Sequence, residues 1–257
     1  MKEKKNYKVI GLIVVLILLL LWIIDSAFNL IDERFLPSIG SVGKALVVIT
    51  TDGYKGSTLF GHLGASFFRL FSAFFLAIAT AVPLGLLSGY NKKVRAAFDP
   101  IIEFYRPLPP LAYYTLLVLW LGIGNGSKIT LLYLACFAPI YIACVAAVTK
   151  VPANYINAAA TLGANKKQIF MKVIFPYCLP DMFTGIRTAM GVGYSTLVAA
   201  EMVAAVSGIG WMVLDASNWL RSDIIFAGII VMGVTGILID AILRLIERKV
   251  VPWKGKV

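Results

Sequence analysis

The sequence predicts an all-α polytopic membrane protein with six transmembrane helices, and three observations favour this fold class. Of the 257 residues, 60% are hydrophobic and only 14% are charged, whereas a soluble domain carries about 25% charged residues. The mean hydropathy of +0.85 also excludes a disordered chain, which needs low hydrophobicity. Finally, the apolar residues fall in six runs that are separated by polar, mostly basic segments.

The six apolar runs are the predicted spans, because a transmembrane helix needs roughly 20 predominantly apolar residues. They lie at about residues 9–24, 67–89, 111–123, 129–148, 183–206 and 224–243. The third run is short, so its helix begins earlier or is irregular at its inner end. Several lysines precede the first run, but no small-residue cleavage site follows it, so we expect an uncleaved span rather than a signal peptide. Because the six runs are spread over the whole chain, we expect residues 1–257 to form a single transmembrane domain.

The basic residues predict the orientation of the chain in the membrane. A formal net charge of +11 would suggest a nucleic-acid partner for a soluble protein, but here the charges flank apolar runs, so no nucleic acid is expected. Seventeen Lys and Arg residues fall on one side of the predicted spans and six on the other, while Arg187 lies within the fifth span. By the positive-inside rule, both termini are cytoplasmic.

Neither a disulfide nor a metal or catalytic cluster is predicted. Cys136 and Cys144 lie two helical turns apart in one run, roughly 12 Å along the axis, which exceeds the roughly 7 Å that a disulfide allows between Cα atoms. Together with Cys178 they are expected to be packing thiols. The only histidine is His62, which we expect to be an ordinary interface residue. A membrane enzyme would need clustered His, Asp or Glu side chains, so the chain is not expected to be an enzyme.

The polar segment at residues 149–181, between the fourth and fifth runs, is the candidate cytoplasmic interaction site. It contains two helix-compatible stretches, at residues 153–162 and 166–174, with Gly163 between them. Gly163 can adopt a positive φ and end the first helix. The three alanines at 158–160 leave one helical face bare, so another protein can approach closely. The alternatives are a compact helix–turn–helix knob and an ordinary amphipathic interfacial loop.

Two prolines are expected to end the second helix of this segment. Pro176 and Pro180 lack a backbone N–H and disfavour a helical conformation for the residue before them. On this interpretation the second helix stays short and is separate from the fifth span.

The spacing of residues in this segment resembles the coupling loop of ABC-importer permeases. The family pattern is Glu-Ala-Ala, three residues, Gly, nine residues, Ile, any residue and Leu-Pro. In this sequence the pattern reads Asn157-Ala158-Ala159, then Gly163, then Val173-Ile174-Phe175-Pro176. Apolar bulk is kept where Val and Phe replace Ile and Leu. The Asn in place of Glu removes a charge, so an ion pair at that position is in question.

The resemblance extends over nearly the whole chain to the nitrate, sulfonate and taurine branch of these permeases, and within it most to the taurine permeases. The segments that carry it are residues 98–112, 120–124, 191–201 and 252–255. The resemblance implies a type I ABC-importer permease fold in a bacterial cytoplasmic membrane. It also implies a homodimer of permeases, surrounded by membrane lipid, with two cytoplasmic ABC ATPases and an extracytoplasmic substrate-binding protein.

The implied function is import of taurine or a related alkanesulfonate, with nitrate or a vitamin precursor as alternative ligands. A second alternative is a secondary transporter that works without an ATPase. It would need inverted repeats or charges at the membrane midplane, and the sequence has no convincing repeat.

The chain lacks a Walker A sequence, so it cannot bind ATP through a P-loop. No cofactor of its own is expected, and ATP is hydrolysed by the partner ATPase. The residues predicted to couple the permease to that ATPase are Asn157, Ala158, Ala159, Leu162, Gly163, Ala164, Val173 and Pro176.

Charged residues near the outer ends of the spans are candidates for the substrate path, because intramembrane ionisable groups are functional by default. Arg69 in the second span and Glu201 in the fifth lie at similar depth and could pair. Such a pair could meet a zwitterion or form an outer gate, and the alternative is a structural ion pair between helices. Tyr194 and Ser195 could line a polar path or form hydrogen bonds across helices.

Overall fold

The computed structural model describes residues 2–254, and in this range the chain folds as helices and connecting loops without a β-strand. The elements are α1 Lys2–Phe28, α2 Ile39–Thr51, α3 Leu59–Tyr90, α4 Lys92–Tyr105, α5 Pro110–Leu121, α6 Asn125–Thr149, α7 Ala153–Thr161, α8 Lys166–Ile169, a π-helical turn Phe170–Ile174, α9 Phe175–Ala204, α10 Ile209–Asn218 and α11 Ser222–Val250. The all-α class predicted from the sequence is therefore confirmed.

Several helical segments are long and apolar enough to cross a membrane, which confirms the polytopic class. They are Ile10–Phe28, Leu59–Tyr90, Asn125–Thr149, Lys166–Ala204 and Ser222–Val250. The predicted third span corresponds to α5, which has 12 residues. At 1.5 Å per residue α5 extends about 18 Å, which falls short of the roughly 30 Å hydrocarbon core. A count of six spans therefore includes one short helix.

The centre of the fold is formed by α3, α6 and α9, which pack along much of their length. A Cβ placed on Gly185 of α9 would lie 2.2 Å from the Cβ of Ala143, and a Cβ on Gly193 would lie 2.6 Å from the Sγ of Cys136. Both distances are too short for real contacts, so a larger residue at either position would push α9 away from α6. All three cysteines are buried and free, which agrees with their expected role in packing.

The bundle has two ends that differ in structure. We define the outer end as the one where α3 begins and α9 terminates, and the inner end as the opposite one. At the outer end, α2 and α10 form a second layer with the start of α11. Val42 and Ile49 of α2 are buried there in the same apolar cluster as Met212 of α10. The helix α2 is thus one face of this layer.

The first helix stands largely apart from the rest of the fold. Trp22 anchors its outer part, since its indole Nε1 donates a 2.9 Å hydrogen bond to the carbonyl of Pro37 and its ring lies 6.0 Å from that of Phe226. Only 6% of the apolar span Ile10–Phe28 is buried within the protein. The remaining apolar surface of α1 therefore needs lipid or another chain to cover it.

The expectation that Pro176 and Pro180 end the second helix of the polar segment is wrong. The helical path continues from Lys166 to Ala204 through the π-helical turn. In that turn the N–H of Phe175 donates to the carbonyl of Phe170, five residues back. The wider turn allows Pro176 to sit in the first turn of α9, where a missing N–H costs little. The second helix of the polar segment and the fifth span are consequently one connected rod, Lys166–Ala204.

Candidate functional site

The polar segment folds as a helix–turn–helix knob, which we define as residues 153–169. Gly163 has a φ of +82°, as the sequence predicted for the end of the first helix. Its N–H donates to the carbonyl of Ala160 at 2.9 Å, and the N–H of Ala164 donates to the carbonyl of Ala159 at 3.1 Å. This pair of bonds is a Schellman motif, which satisfies the carbonyls at the end of α7.

The second helix of the knob begins with a capping box. The side chain of Asn165 accepts a 2.9 Å hydrogen bond from the N–H of Gln168. In return, the Gln168 side chain accepts one of 2.9 Å from the N–H of Asn165. Both helix ends that meet at the turn are therefore capped, within only a few connecting residues. Such a turn resists bending, so the knob can transmit a displacement from its tip to α9.

The predicted contact residues of the knob do not all face outward. Asn157, Ala158 and Gly163 are exposed, and the apolar side chain of Leu162 is 88% exposed. In contrast, Ala159 and Ala164 are half-buried and pack against the core. Val173 and Pro176 lie beyond the knob, in the π-helical turn and the first turn of α9, and are also half-buried. The exposed tip of the knob is thus formed by the end of α7 and by the turn.

The structure brings together Arg69 and Glu201, the two charged candidates of the outer end. The Nη1 of Arg69 lies 2.6 Å from the Oε1 of Glu201, and both side chains are almost fully buried. The other nitrogens of Arg69 are also bonded: Nε donates to the side chain of Asn125 at 2.8 Å, and Nη2 donates to the Oγ of Ser207 at 3.0 Å. The single hydroxyl of Ser66 also donates to the carboxylate of Glu201, lying 2.8 and 2.9 Å from its two oxygens.

This ion pair fastens the start of α10 to the bundle. The N–H of Gly210 donates to the Oε2 of Glu201 at 3.0 Å, and the N–H of Ile209 donates to the Oγ of Ser66 at 3.0 Å. The N–H of Gly208 donates to the Nδ1 of His62 at 3.2 Å. Three consecutive N–H groups at the N-terminus of α10 are thereby satisfied by α3 and α9. We call this set of contacts the outer clamp.

Sequence reasoning missed part of the outer clamp. His62 is 1% exposed and is therefore a buried clamp residue rather than an ordinary interface residue. A signal was present in the sequence, because His62, Ser66 and Arg69 share one face of α3 at the i, i+4 and i+7 positions. Nothing local pointed to Ser207, which lies in the connection between α9 and α10.

The two polar candidates on α9 have different surroundings. The hydroxyl of Tyr194 donates to the carbonyl of Met232 at 2.9 Å and lies 2.7 Å from the Oγ1 of Thr235. Tyr194 therefore joins α9 to α11 by hydrogen bonds, as one of the two predicted alternatives requires. Ser195, the next residue, is exposed on a neighbouring face of the helix, and its hydroxyl donates to the carbonyl of Val192 in its own turn.

Ser195 belongs to an exposed stripe of polar and small residues along α9. The stripe consists of Thr184, Thr188, Gly191 and Ser195, which lie on one helical face. Each of its hydroxyls donates to a carbonyl of α9 itself. Among residues 2–254, no three His, Cys, Asp or Glu side chains lie close enough together to hold a metal ion.

Comparison with known proteins gives a family match over most of the fold. Residues 81–252 match the family described as "Binding-protein-dependent transport system inner membrane component". The matched region runs from the second half of α3 to the end of α11 and includes the knob and Glu201.

Three similar proteins are permeases of transport systems for small anions or sulfonates. The taurine transport system permease protein TauC of Escherichia coli (strain K12) is 43% identical over 242 residues, which cover 94% of this chain and 88% of that protein. The putative aliphatic sulfonates transport permease protein SsuC of Bacillus subtilis (strain 168) is 32% identical over 95% of this chain and 87% of that protein. The nitrate import permease protein NrtB of Synechocystis sp. is 35% identical, covering 75% of this chain and 70% of that protein.

Proposed function

The chain belongs to the family of binding-protein-dependent transport system inner membrane components, and we propose that it is the permease subunit of an ATP-driven importer for taurine or a related alkanesulfonate. The observation that carries this proposal is the 43% identity to a taurine permease over 94% of the chain. The similarity to a permease for aliphatic sulfonates supports the same class of substrate. The chain is a transport component and not an enzyme.

Membership of this family implies an ATPase and a substrate-binding protein as partners, with ATP hydrolysed by the ATPase. We propose a complex of two permease copies, two ATPases and one extracytoplasmic binding protein. We also propose that both termini are cytoplasmic, because the positive-inside rule then accounts for the basic inner loops. The inner end of the bundle, with the knob, would accordingly face the ATPase.

In the proposed mechanism the permease pair is in equilibrium between an inward-open and an outward-open packing, and movement of the knob shifts that equilibrium. ATP binding closes the ATPases and moves the docked knobs, and the connected rod Lys166–Ala204 carries that movement into the membrane. A partner shifts this equilibrium only if it binds the two packings with different affinity. The exposed Leu162 and the bare alanine face of α7 are the contacts proposed for the ATPase. They suit close packing better than an ion pair, which fits Asn157 in place of a charged residue.

The substrate path is proposed to run along the polar stripe of α9. A hydroxyl-lined face on a membrane-spanning helix has a lower free energy in contact with water, another helix or a polar ligand than in contact with lipid. We therefore place Ser195, together with Thr184 and Thr188, on the path. The charges of Arg69 and Glu201 are satisfied inside the outer clamp, so we propose that they hold the outer end of the path in shape rather than bind substrate.

The test of the proposed function is import by the assembled transporter. Proteoliposomes that contain the permease with its own ATPase and binding protein should accumulate labelled taurine only when ATP is supplied on the ATPase side. An excess of unlabelled alkanesulfonate should compete, whereas nitrate should not. ATP-dependent uptake of nitrate without taurine uptake would instead establish the second candidate, a nitrate permease, which the similarity to nitrate import permeases supports.

The proposed path predicts a large effect of bulk at Thr188. We expect Thr188→Phe to reduce import by about tenfold or more, corresponding to roughly 1.4 kcal/mol of added barrier, because the ring would fill the path while its site on α9 is exposed and needs no repacking. The matched control is Ile237→Phe on α11, where the native side chain is 71% exposed and apolar. Equal import rates for the two variants would place the path elsewhere.

A further inference from the structure

A cavity at the inner end of the bundle has strongly basic walls. It lies where α9 and α11 meet the chain that follows α11, and its volume is about 350 Å³. Its lining includes Arg187 of α9, Arg244 and Arg248 of α11, and Lys254 of the following segment. These four cations come from three parts of the chain, so tertiary packing gathers them into one site.

The charges around this cavity do not balance. Arg187 bridges Asp240 at 3.0 Å and Glu247 at 3.2 Å. Arg244 also pairs with Asp240, and Lys254 also pairs with Glu247. Each of the two carboxylates is thus shared by two cations.

The fourth cation, Arg248, has no carboxylate partner among residues 2–254. Four positive charges therefore face two negative charges. The cavity retains an excess of two positive charges, which favours an anionic ligand.

The position of the cavity identifies the kind of anion. On the same face of α11 as Arg244, seven residues back towards the middle of the helix, the apolar side chain of Ile237 is 71% exposed, as expected of a surface that contacts lipid chains. Trp253, on the other side, is 39% exposed, and tryptophan is enriched at membrane–water interfaces. An apolar surface that adjoins a basic cavity, on the side towards the middle of the bundle, suits a ligand with acyl chains and a phosphate headgroup.

We propose that this cavity binds the phosphate of an anionic phospholipid headgroup from the inner leaflet. Arginine guanidinium groups bind phosphate through strong charge-assisted hydrogen bonds, and basic pockets between membrane helices on the cytoplasmic side are suited to such headgroups. The site also touches the moving part of the transporter, because the Nζ of Lys254 donates to the Oγ1 of Thr184 on α9 at 3.0 Å. A bound lipid would therefore hold the end of α11 against the rod that leads to the knob.

The test measures how the purified chain binds lipid. Native mass spectrometry records the bound lipid while phosphatidylglycerol or phosphatidylcholine is titrated in. We expect preferential retention of phosphatidylglycerol. Arg248→Glu should weaken its binding by about 25-fold, because one basic residue near an anionic surface contributes about fivefold and the reversed charge costs a similar factor. The matched control is Lys249→Glu, which makes the same change of charge one residue away, outside the cavity lining. It should bind within about twofold of the unaltered chain.

Three outcomes would overturn the proposal. The first is equal binding of phosphatidylglycerol by the Arg248→Glu variant and the unaltered chain. The second is an equal loss of binding in the Lys249→Glu variant, because general surface charge would then explain the preference. The third concerns the source of the phosphate: inorganic phosphate that occupies the cavity while the lipid does not would assign the site to a soluble ligand.

One outcome would support the headgroup site. Millimolar inorganic phosphate would displace the bound lipid from the unaltered chain, and the Arg248→Glu variant would bind neither the lipid nor the phosphate.

Discussion

Replacing Glu201 with glutamine is expected to destabilise the protein by about 3–5 kcal/mol, because one partner of a buried ion pair is removed while the other stays buried. Glutamine has nearly the same shape as glutamate, so the loss arises from charge and not from a cavity. Arg69, a residue that is only 5% exposed, would keep its polar partners but lose its counter-charge. The N-terminus of α10 would also lose the carboxylate that accepts the N–H of Gly210.

Thermal unfolding of the detergent-solubilised chain measures this effect. A loss of that size corresponds to a fall in melting temperature of roughly 10 °C for a chain of this length. The matched control is Asp215→Asn, which breaks the pair between Asp215 and Lys55, also at the outer end. There the side chain of Lys55 is 43% exposed, so the change should cost at most about 1 kcal/mol.

The same variants separate a structural role of the outer clamp from a role in gating. If the pair is structural, Arg69→Met combined with Glu201→Gln should be more stable than Glu201→Gln alone, because no uncompensated charge remains buried. If Glu201→Gln melts normally yet fails to import, the pair acts as an outer gate and the structural account is wrong. If both melting and import are unaltered, neither role holds.

Replacing Gly163 with valine is expected to uncouple import from ATP hydrolysis while leaving membrane insertion intact. Its φ of +82° disfavours residues with a Cβ by roughly 1–2 kcal/mol, and a β-branched residue fits this conformation worst. Apart from the adjoining residues of the chain, no atom lies within 4 Å of where the Cβ would be, so the effect comes from the backbone and not from a clash. The Schellman turn would open, and α7 would lose its fixed angle to α8.

Import by the Gly163→Val transporter should fall by about tenfold or more, equivalent to at least roughly 1.4 kcal/mol. The amount of permease in the membrane should not change. Gly163→Asn is the matched control, since asparagine tolerates a positive φ at the end of a helix, and it should retain most of the import. Co-purification of the ATPase shows whether docking or only the transmission of movement is lost. Normal import by Gly163→Val would refute the coupling role of the knob.

Much of this molecule could be predicted from local patterns. The six apolar runs and their basic flanks predicted the membrane class, since both follow from the cost of placing residues in lipid. Gly163 and the helix-compatible stretches beside it predicted the turn of the knob, because a helix end depends on a few neighbouring residues. Arg69 and Glu201 could be selected because ionisable residues within apolar runs are rare.

The rest depended on contacts between distant parts of the chain. The prolines after the knob suggested a helix end, but a π-helical turn fits Pro176 into the rod, and that choice depends on the packing of Ile174 and Cys178 in the core. Likewise, the sequence did not show which helix the hydroxyl of Tyr194 would contact, and only the position of α11 decided it.

The sequence by itself determined which residues must avoid water and which must remain near it, because transfer free energy is a property of each side chain in its own segment. Tertiary structure alone decided which polar groups satisfy one another. The outer clamp joins α3, the start of α6, and the segment around residues 201–210, and the basic cavity joins α9 to the end of α11. Hydrogen bonds and ion pairs act over a few ångströms, so their partners are fixed only when distant segments have packed together.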